Sequence, residues 1–208
     1  MLSFLFARAN RPDRAHQVMR FSGNALPPKS PYKEDLLEWT LSFPRAHSES
    51  IAQAASQAGF ASTLLQGLAR EESAFQASVK SWAGAIGLCQ LMPATAKEEA
   101  GLAKVQVDHA FYTRLLEPSL NATLGANHLS RRIKMLKHPL LGIAAYNAGP
   151  GNVYRWRKQK PIQPVDAFVE SIPVEQTRNY VKKVTGSWVT YGYLDPGEEL
   201  AQFSLVLP

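Results

Sequence analysis

The chain has 208 residues, 45% of them hydrophobic, with 23 lysines and arginines against 17 acids and a formal charge of +6. That length and apolar share can build a folded domain unaided, and the single cysteine, Cys89, excludes an intramolecular disulfide and a cysteine-rich zinc site. The charge excess favours anionic partners by long-range attraction but selects none of them.

A short helix is predicted up to about Arg20. The apolar start, Met1 to Phe6, is followed rather than preceded by Arg8, Arg11 and Arg14, the reverse of a signal peptide's order. No export signal is read there, and a piece of a longer protein is one expectation. No stretch reaches the roughly 18 apolar residues of a membrane-spanning helix. Gly23 leads into Pro27, Pro28 and Pro31, a linker or bent loop. A second short helix carries Leu36, Leu37 and Trp39 until Phe43-Pro44 stops it.

The main domain is expected from residue 45. Ser50 and Gln53 have the spacing of a capping box, with Ile51, Ala54, Ala55 and Ala58 on one stripe and Gly59 as the stop. Ser62 is placed as the cap of a helix carrying Leu64, Leu65, Leu68 and Ala69. Residues 81–92 are rich in glycine and short apolar residues and read as loop or small strands. Pro93 opens a helix that Gly101 ends. Asn121 to Leu136 is helical, with Leu124, Leu129 and Ile133 on a stripe and Arg131, Arg132, Lys134 and Lys137 as a solvated face. Leu140 to Asn147 is a short helix stopped by Gly149-Pro150-Gly151. Val174 to Tyr191 has the clearest helical period, with Thr177, Val181, Val184 and Trp188 on one face, flanked by Tyr180 and Tyr191. No fixed-period repeat is present. The pattern is mostly helical with little strand.

One helix carries an anomaly. At about 100° per residue, Leu64, Leu65, Leu68 and Ala69 define an apolar face, and Glu72 falls roughly 10° from its centre while Glu71 falls about 90° away. A carboxylic acid therefore stands where a leucine belongs. Burial raises a carboxyl's pKa because the anion loses its water, and the negative end of the helix dipole acts in the same direction. Both push Glu72 towards a neutral acid at about pH 6–7, which is what protonating a glycosidic oxygen needs. A glutamate simply bonded to a backbone amide or an arginine is the alternative that the wheel alone leaves open.

Four blocks follow in order: REESAF at 70–75, GAIGLCQLMP at 84–93, AAYNAGPG at 144–151 and ESIPVEQTRNYV at 170–181. Together they resemble the catalytic domain of the soluble lytic transglycosylases, in the goose-lysozyme-like branch of the lysozyme superfamily. The resemblance spans about residues 45–191. It implies a mostly α, α+β lysozyme-like fold, a helical domain with a substrate groove and a small Gly-rich strand or loop region. Residues 1–44 would be a short helical segment or linker, the end of a helical superhelix by a looser match. Residues 45–195 would be the catalytic domain and 196–208 a C-terminal tail. Glu72 matches the family's single catalytic acid/base. Ser81, Gln90 and Met92 match positions lining the groove near the cut. Tyr146 and Asn147 match the pair facing the glutamate, Glu170 a second groove acid, and Tyr180 a groove tyrosine on the last long helix. Glu170 has a plainer alternative, a pair with Arg178. Two positions depart from the family pattern: Cys89 stands where methionine is usual, and Gln176 where glutamate is usual.

The resemblance implies a lyase. Glu72 would protonate the oxygen joining N-acetylmuramic acid to N-acetylglucosamine, then take a proton from the C6 hydroxyl, whose oxygen closes on C1 to give a 1,6-anhydro end. Tyr146 and Asn147 would help to stabilise the positive transition state. Two alternatives stay open: a water-using muramidase of the goose-lysozyme type, with Glu170 or Asp166 as its second carboxylate, and a non-catalytic peptidoglycan-binding module. No cofactor and no metal are expected, since no His-Glu-x-x-His run or calcium loop occurs and His16, His47, His109, His128 and His138 are dispersed. The expected partner is the peptidoglycan glycan strand, with no nucleic acid, membrane contact left open, and a monomer. The expected location is the periplasm or cell envelope of a bacterium.

Overall fold

The computed structural model describes residues 2–9, 11–21, 36–159, 164–195 and 204–207. The predicted linker at Gly23 to Pro31 lies outside the described residues. The described residues form twelve helices: α1 (Leu2–Arg8), α2 (Pro12–Phe21), α3 (Leu36–Ser42), α4 (Ser48–Ala58), α5 (Ser62–Ser73), α6 (Pro93–Leu102), α7 (Phe111–Arg114), α8 (Pro118–Leu136), α9 (Pro139–Ala148), α10 (Pro150–Gln159), α11 (Val165–Ser171) and α12 (Glu175–Leu194). Pairing of β type among them is confined to isolated bridges, Lys80 with Ile86, Ile86 with Leu91, and Pro164 with Val206. The fold is mostly α, as the periodicity predicts. No described helix is long and apolar enough to cross a membrane.

Helix α5 is the axis of the molecule. Every residue from Thr63 to Ala69 is buried, so it is not the one-sided helix its apolar stripe suggests. Two residues on its nominally polar side explain this. Gln66 turns its amide inward and donates to the carbonyl of Ala46 at 3.1 Å. Gly67 lies against the backbone of α12, where an added Cβ would stand 2.8 Å from the Trp188 nitrogen. Glycine there permits a backbone approach that no side chain would allow. On the facing side of α12, Thr177, Val181, Val184 and Trp188 are buried, and Tyr191 donates its hydroxyl to the Pro44 carbonyl at 3.0 Å.

Several helix ends differ from expectation. Helix α4 begins at Ser48 after His47, which sits at φ 51, and no side-chain cap forms; Ser50 lies inside the first turn rather than at its cap. Ser62 is the first helical residue of α5 and Ala61 the cap position. Gly101 does not end α6, which runs to Leu102. Gly149, at φ 79, breaks the chain for one residue, and Pro150 at once opens α10. The Gly-Pro-Gly segment is thus a corner between two helices, with the proline acting as a helix starter.

The apolar interior divides in two. A large cluster joins α4, α5, α8, α9 and α12 around Leu64, Leu68, Leu129, Ile143 and Val184. A smaller one gathers Ile86, Leu91, Ala96, Ala100, Phe111, Leu115 and Leu124. Tyr146 packs against both. A residue shared by two cores marks the seam between a large lobe and a small one, and the seam is where the candidate site lies.

Candidate active site

The last turn of α5 carries Arg70, Glu71, Glu72 and Ser73. The two adjacent glutamates meet different fates. Glu71 is paired with Arg70, and Ser187 donates its hydroxyl to the same carboxylate at 2.8 Å. Arg70 is itself held by the Ser42 carbonyl at 3.3 Å and lies 4.1 Å over the ring of Phe43. Glu71 is therefore a satisfied structural ion. Glu72 has no arginine partner among the described residues. Its carboxyl accepts a hydrogen bond from the Tyr180 hydroxyl on α12 at 2.6 Å.

The electrostatics follow from those contacts. Burial strips water from the Glu72 anion, and the neighbouring negative charge of Glu71 adds to the effect; the Tyr180 bond works the other way by stabilising the anion. Burial wins, and the pKa rises from its ordinary value of 4.5 to about 7. At neutral pH Glu72 is poised between acid and base. Burial also lifts the hydroxyl pKa of Tyr146 and of Tyr180 well above the ordinary phenol value, with Glu72 adding to both. The two phenols stay protonated and act as donors.

A strained exit from α5 leads to the turns that hold Tyr146. Ala74 and Phe75 leave α5 with φ 49 and 64, conformations uncommon for residues other than glycine. Buried Phe75 anchors the turn, and the His47 ring contacts its carbonyl at 3.1 Å. Beyond it the chain makes two tight turns, joined through the bridges at Ile86. Asn121 from α8 clamps the second turn: its side-chain nitrogen donates to the carbonyls of Ile86 (3.0 Å) and Leu115 (2.8 Å), and its oxygen accepts from the Cys89 N–H at 2.7 Å. A Cβ on Gly87 would meet that amide at 2.2 Å, which is why the turn needs glycine there. Tyr146 closes the arrangement by donating to the Cys89 carbonyl at 2.8 Å.

The other predicted residues have contacts of their own. Ser81 accepts from the Ala85 N–H at 2.9 Å and closes the first turn. Gln90, at φ 47, spends its side-chain nitrogen on the Gly87 carbonyl at 2.8 Å. Met92 is exposed at the cap of α6. Asn147 is exposed at the end of α9, and its side-chain oxygen accepts from Thr177 at 2.7 Å. Glu170 is exposed on α11 and pairs with Lys182 at 2.6 Å, not with Arg178, which donates to the Ile172 carbonyl. No hydrogen bond or ion pair joins Glu170 to Glu72 among the described residues. Clefts of about 480 Å³, walled in part by Arg11, His47 and Phe75, and about 340 Å³, walled in part by Val165, Glu170 and Lys182, lie elsewhere; Glu72 lines neither.

Cys89 is buried against Gly125, and burial raises its thiol pKa far out of the reactive range. It is a packing residue, not a nucleophile. Sequence reasoning missed a buried network behind Tyr146. Glu99, 1% exposed, is contacted by His128 at 2.7 Å and by Arg131 at 2.7 Å, and the His128 ring meets Tyr146 edge-on at 5.1 Å. Arg131 is thereby drawn inward from the face expected to be solvated. Among the described residues no group of three or more His, Cys, Asp or Glu is placed to hold a metal ion.

Comparison with known proteins places this geometry in a family context. Residues 49–169 match the model of the Transglycosylase SLT domain. The soluble lytic murein transglycosylase of Salmonella typhimurium is 37% identical over 145 residues, covering 68% of this chain and 22% of the relative. Its Escherichia coli counterpart is 35% identical over 154 residues, covering 73% and 24%. The chain therefore spans about a quarter of the length of these relatives. Among solved structures, an inactive mutant of the lytic transglycosylase Slt from Pseudomonas aeruginosa superposes with a TM-score of 0.79 at 30% identity, over 97% of this chain and 32% of that one. The 70-kDa soluble lytic transglycosylase in complex with bulgecin A gives a TM-score of 0.82 at 28% identity, over 97% and 31%. The family match ends at residue 169, before Tyr180, the residue that touches Glu72.

Proposed function

The chain belongs to the Transglycosylase SLT domain family, and on that premise we propose that it cleaves the β-1,4 bond between N-acetylmuramic acid and N-acetylglucosamine in peptidoglycan, leaving a 1,6-anhydromuramic acid end. The observation that carries this reading is a half-buried carboxyl, Glu72, whose pKa is raised to about 7 by loss of water and whose hydrogen-bond partner is a phenol. A carboxyl poised there can give a proton and take one back at the same pH. In the first step the Glu72 proton passes to the bridging oxygen and the C1–O bond of the muramic acid breaks. Positive charge develops at C1, where Glu72, now anionic, and the dipoles of Tyr146 and Asn147 stabilise it. In the second step the C6 hydroxyl gives its proton to Glu72 while its oxygen bonds to C1. The acid is regenerated and no water is consumed.

A hydrolytic muramidase would need a second carboxylate to hold water. Glu71 is engaged by Arg70 and Ser187, Glu170 by Lys182, and Asp166 by the Ala167 N–H. Of these carboxylates only Glu71 acts electrostatically on Glu72, and its partners Arg70 and Ser187 hold it in the fold, which favours the lyase. Ser81, Gln90, Met92, Asn147, Glu170 and Tyr180 are proposed to line the path of the glycan, with residues 45–195 as the catalytic domain. The site of action would be the bacterial cell envelope, in the periplasm. Mass spectrometry of products from purified peptidoglycan tests the proposal. The native chain should release products lighter by one water than hydrolytic ones, and Glu72→Gln should lower their yield about 10²–10⁴-fold. Reducing-end products would replace the lyase by a hydrolase.

A further inference from the structure

We infer that Trp82 is a stacking platform for a sugar ring of the bound strand, one that lies beyond the pair flanking the cut bond. The inference rests on the glycan-cleavage reading above and adds a binding subsite to it. Trp82 is fully exposed, at 100%, whereas the next most exposed large apolar side chain among the described residues, Leu205, stands at 70%. An indole offers roughly 150–250 Å² of apolar surface, and here the fold gains nothing from it by burial. Its position is nevertheless held firmly. The Ser81 N–H donates to the Ala85 carbonyl at 2.9 Å, the Gly84 N–H to the Ser81 carbonyl at 3.0 Å, and the Ala85 N–H to the Ser81 hydroxyl at 2.9 Å. Gly84, at φ 90, has open space beside it.

This turn is continuous with the turn that holds Tyr146. At its base Lys80 bridges to Ile86. The Val79 carbonyl accepts from the Gly87 N–H at 2.9 Å and from the Gln90 side chain at 3.3 Å. The neighbouring Cys89 carbonyl holds the Tyr146 hydroxyl. Fully exposed on the turn that Ser81 and Ala85 close, Trp82 shares no hydrogen bond or ring contact with Glu72, Tyr146 or Tyr180 among the described residues, and so suits a ring further along a polymer rather than the reacting atoms. Pyranose rings present faces of C–H groups, and the negative face of an indole attracts them. A long glycan brings such a ring to Trp82 when its cleavable bond reaches Glu72; a short one does not.

The test compares strand lengths. On long, uncross-linked glycan strands, Trp82→Ala should raise KM about tenfold, more than it lowers kcat. On a substrate with only the sugars at the cut bond the effect should be smaller, and Trp82→Tyr should restore most of the loss. In the Glu72→Gln background, titration with long strands should shift or quench tryptophan emission, and Trp82→Ala should remove that signal. Folding is not at risk from an exposed site, and unchanged thermal unfolding confirms it. If native chain cleaves and Trp82→Ala matches it on both lengths, the subsite is overturned while the cleavage reading stands. If native chain cleaves nothing yet the Trp82 emission responds to glycan, the subsite stands and the catalytic reading falls. No cleavage and no response overturns both.

Discussion

Replacing Glu72 by glutamine should stabilise the protein, and by an amount that depends on pH. The folded-state pKa is about 7 against an ordinary 4.5. Between those values the folded chain holds a proton that the unfolded chain has released, so stability falls as pH rises, by about 1.4 kcal/mol per pH unit. Across the whole interval the loss comes to about 3 kcal/mol, complete above pH 7 and absent below 4.5. The substituted amide cannot ionise, so the variant escapes that loss, and its oxygen can still accept the Tyr180 bond. For a chain of this size about 3 kcal/mol corresponds to a Tm higher by about 6–12 °C. Thermal unfolding of both proteins at pH 8 and at pH 4 checks it. The expected result is a large gain at pH 8 that disappears at pH 4. An equal difference at both pH values, or a variant less stable at pH 8, would show that Glu72 is not an acid held back from ionising.

Two further outcomes follow from named contacts. Tyr180→Phe removes the bond that favours the Glu72 anion, so the glutamate should stay protonated to higher pH. Hydrogen bonds to charged groups are worth about 1.5–3 kcal/mol, which moves the alkaline limb of the kcat/KM profile up by about 1–2 pH units; a limb that stays still or moves down contradicts the assignment. Gly67→Ala places a Cβ 2.8 Å from the Trp188 nitrogen and 3.2 Å from the Val184 carbonyl oxygen. Overpacking of this kind costs about 1–3 kcal/mol, and an unchanged urea midpoint would mean that α5 and α12 do not cross so closely.

What the sequence reveals and what it conceals divide along physical lines. Apolar period reveals α5, α8 and α12, because their stripes are long and their core contacts repeat every turn. It misses α7, α10 and α11, which are short or begin at a proline that also reads as a stop. The Ser50–Gln53 spacing suggests a cap, yet the αL geometry of His47 starts α4 at Ser48. Gln66 and Gly67 look solvent-facing until α12 and the Pro44–Ala46 segment are laid over them. The Glu99–His128–Arg131 network joins residues about thirty positions apart, and no local pattern announces it. In the candidate site, Glu72 is visible as a polar residue on an apolar stripe, whereas Asn121 looks like an ordinary helical residue until its three bonds to the Gly87 turn and its flank are seen.

Burial raises the Glu72 pKa, and it prevails because no cation is paired with the carboxyl among the described residues. Arg70 precedes it by two residues, which on a helix sets the two side chains about 200° apart. Glu71 and Ser187 receive the guanidinium instead. An arginine three or four residues from Glu72 would share its face and, by favouring the anion, would undo what burial does. The order Arg-Glu-Glu therefore does two jobs at once. The first glutamate neutralises the arginine that ties α5 to the Ser42 carbonyl and the Phe43 ring, and its own charge raises the second. Tyr180 then supplies the compensation, a neutral donor, which is enough to keep the carboxylate within reach but not enough to pull its pKa back from about 7 to the ordinary range. A carboxyl so placed can serve as acid and then as base in one turnover, which is what a reaction that consumes no water requires of a lone residue.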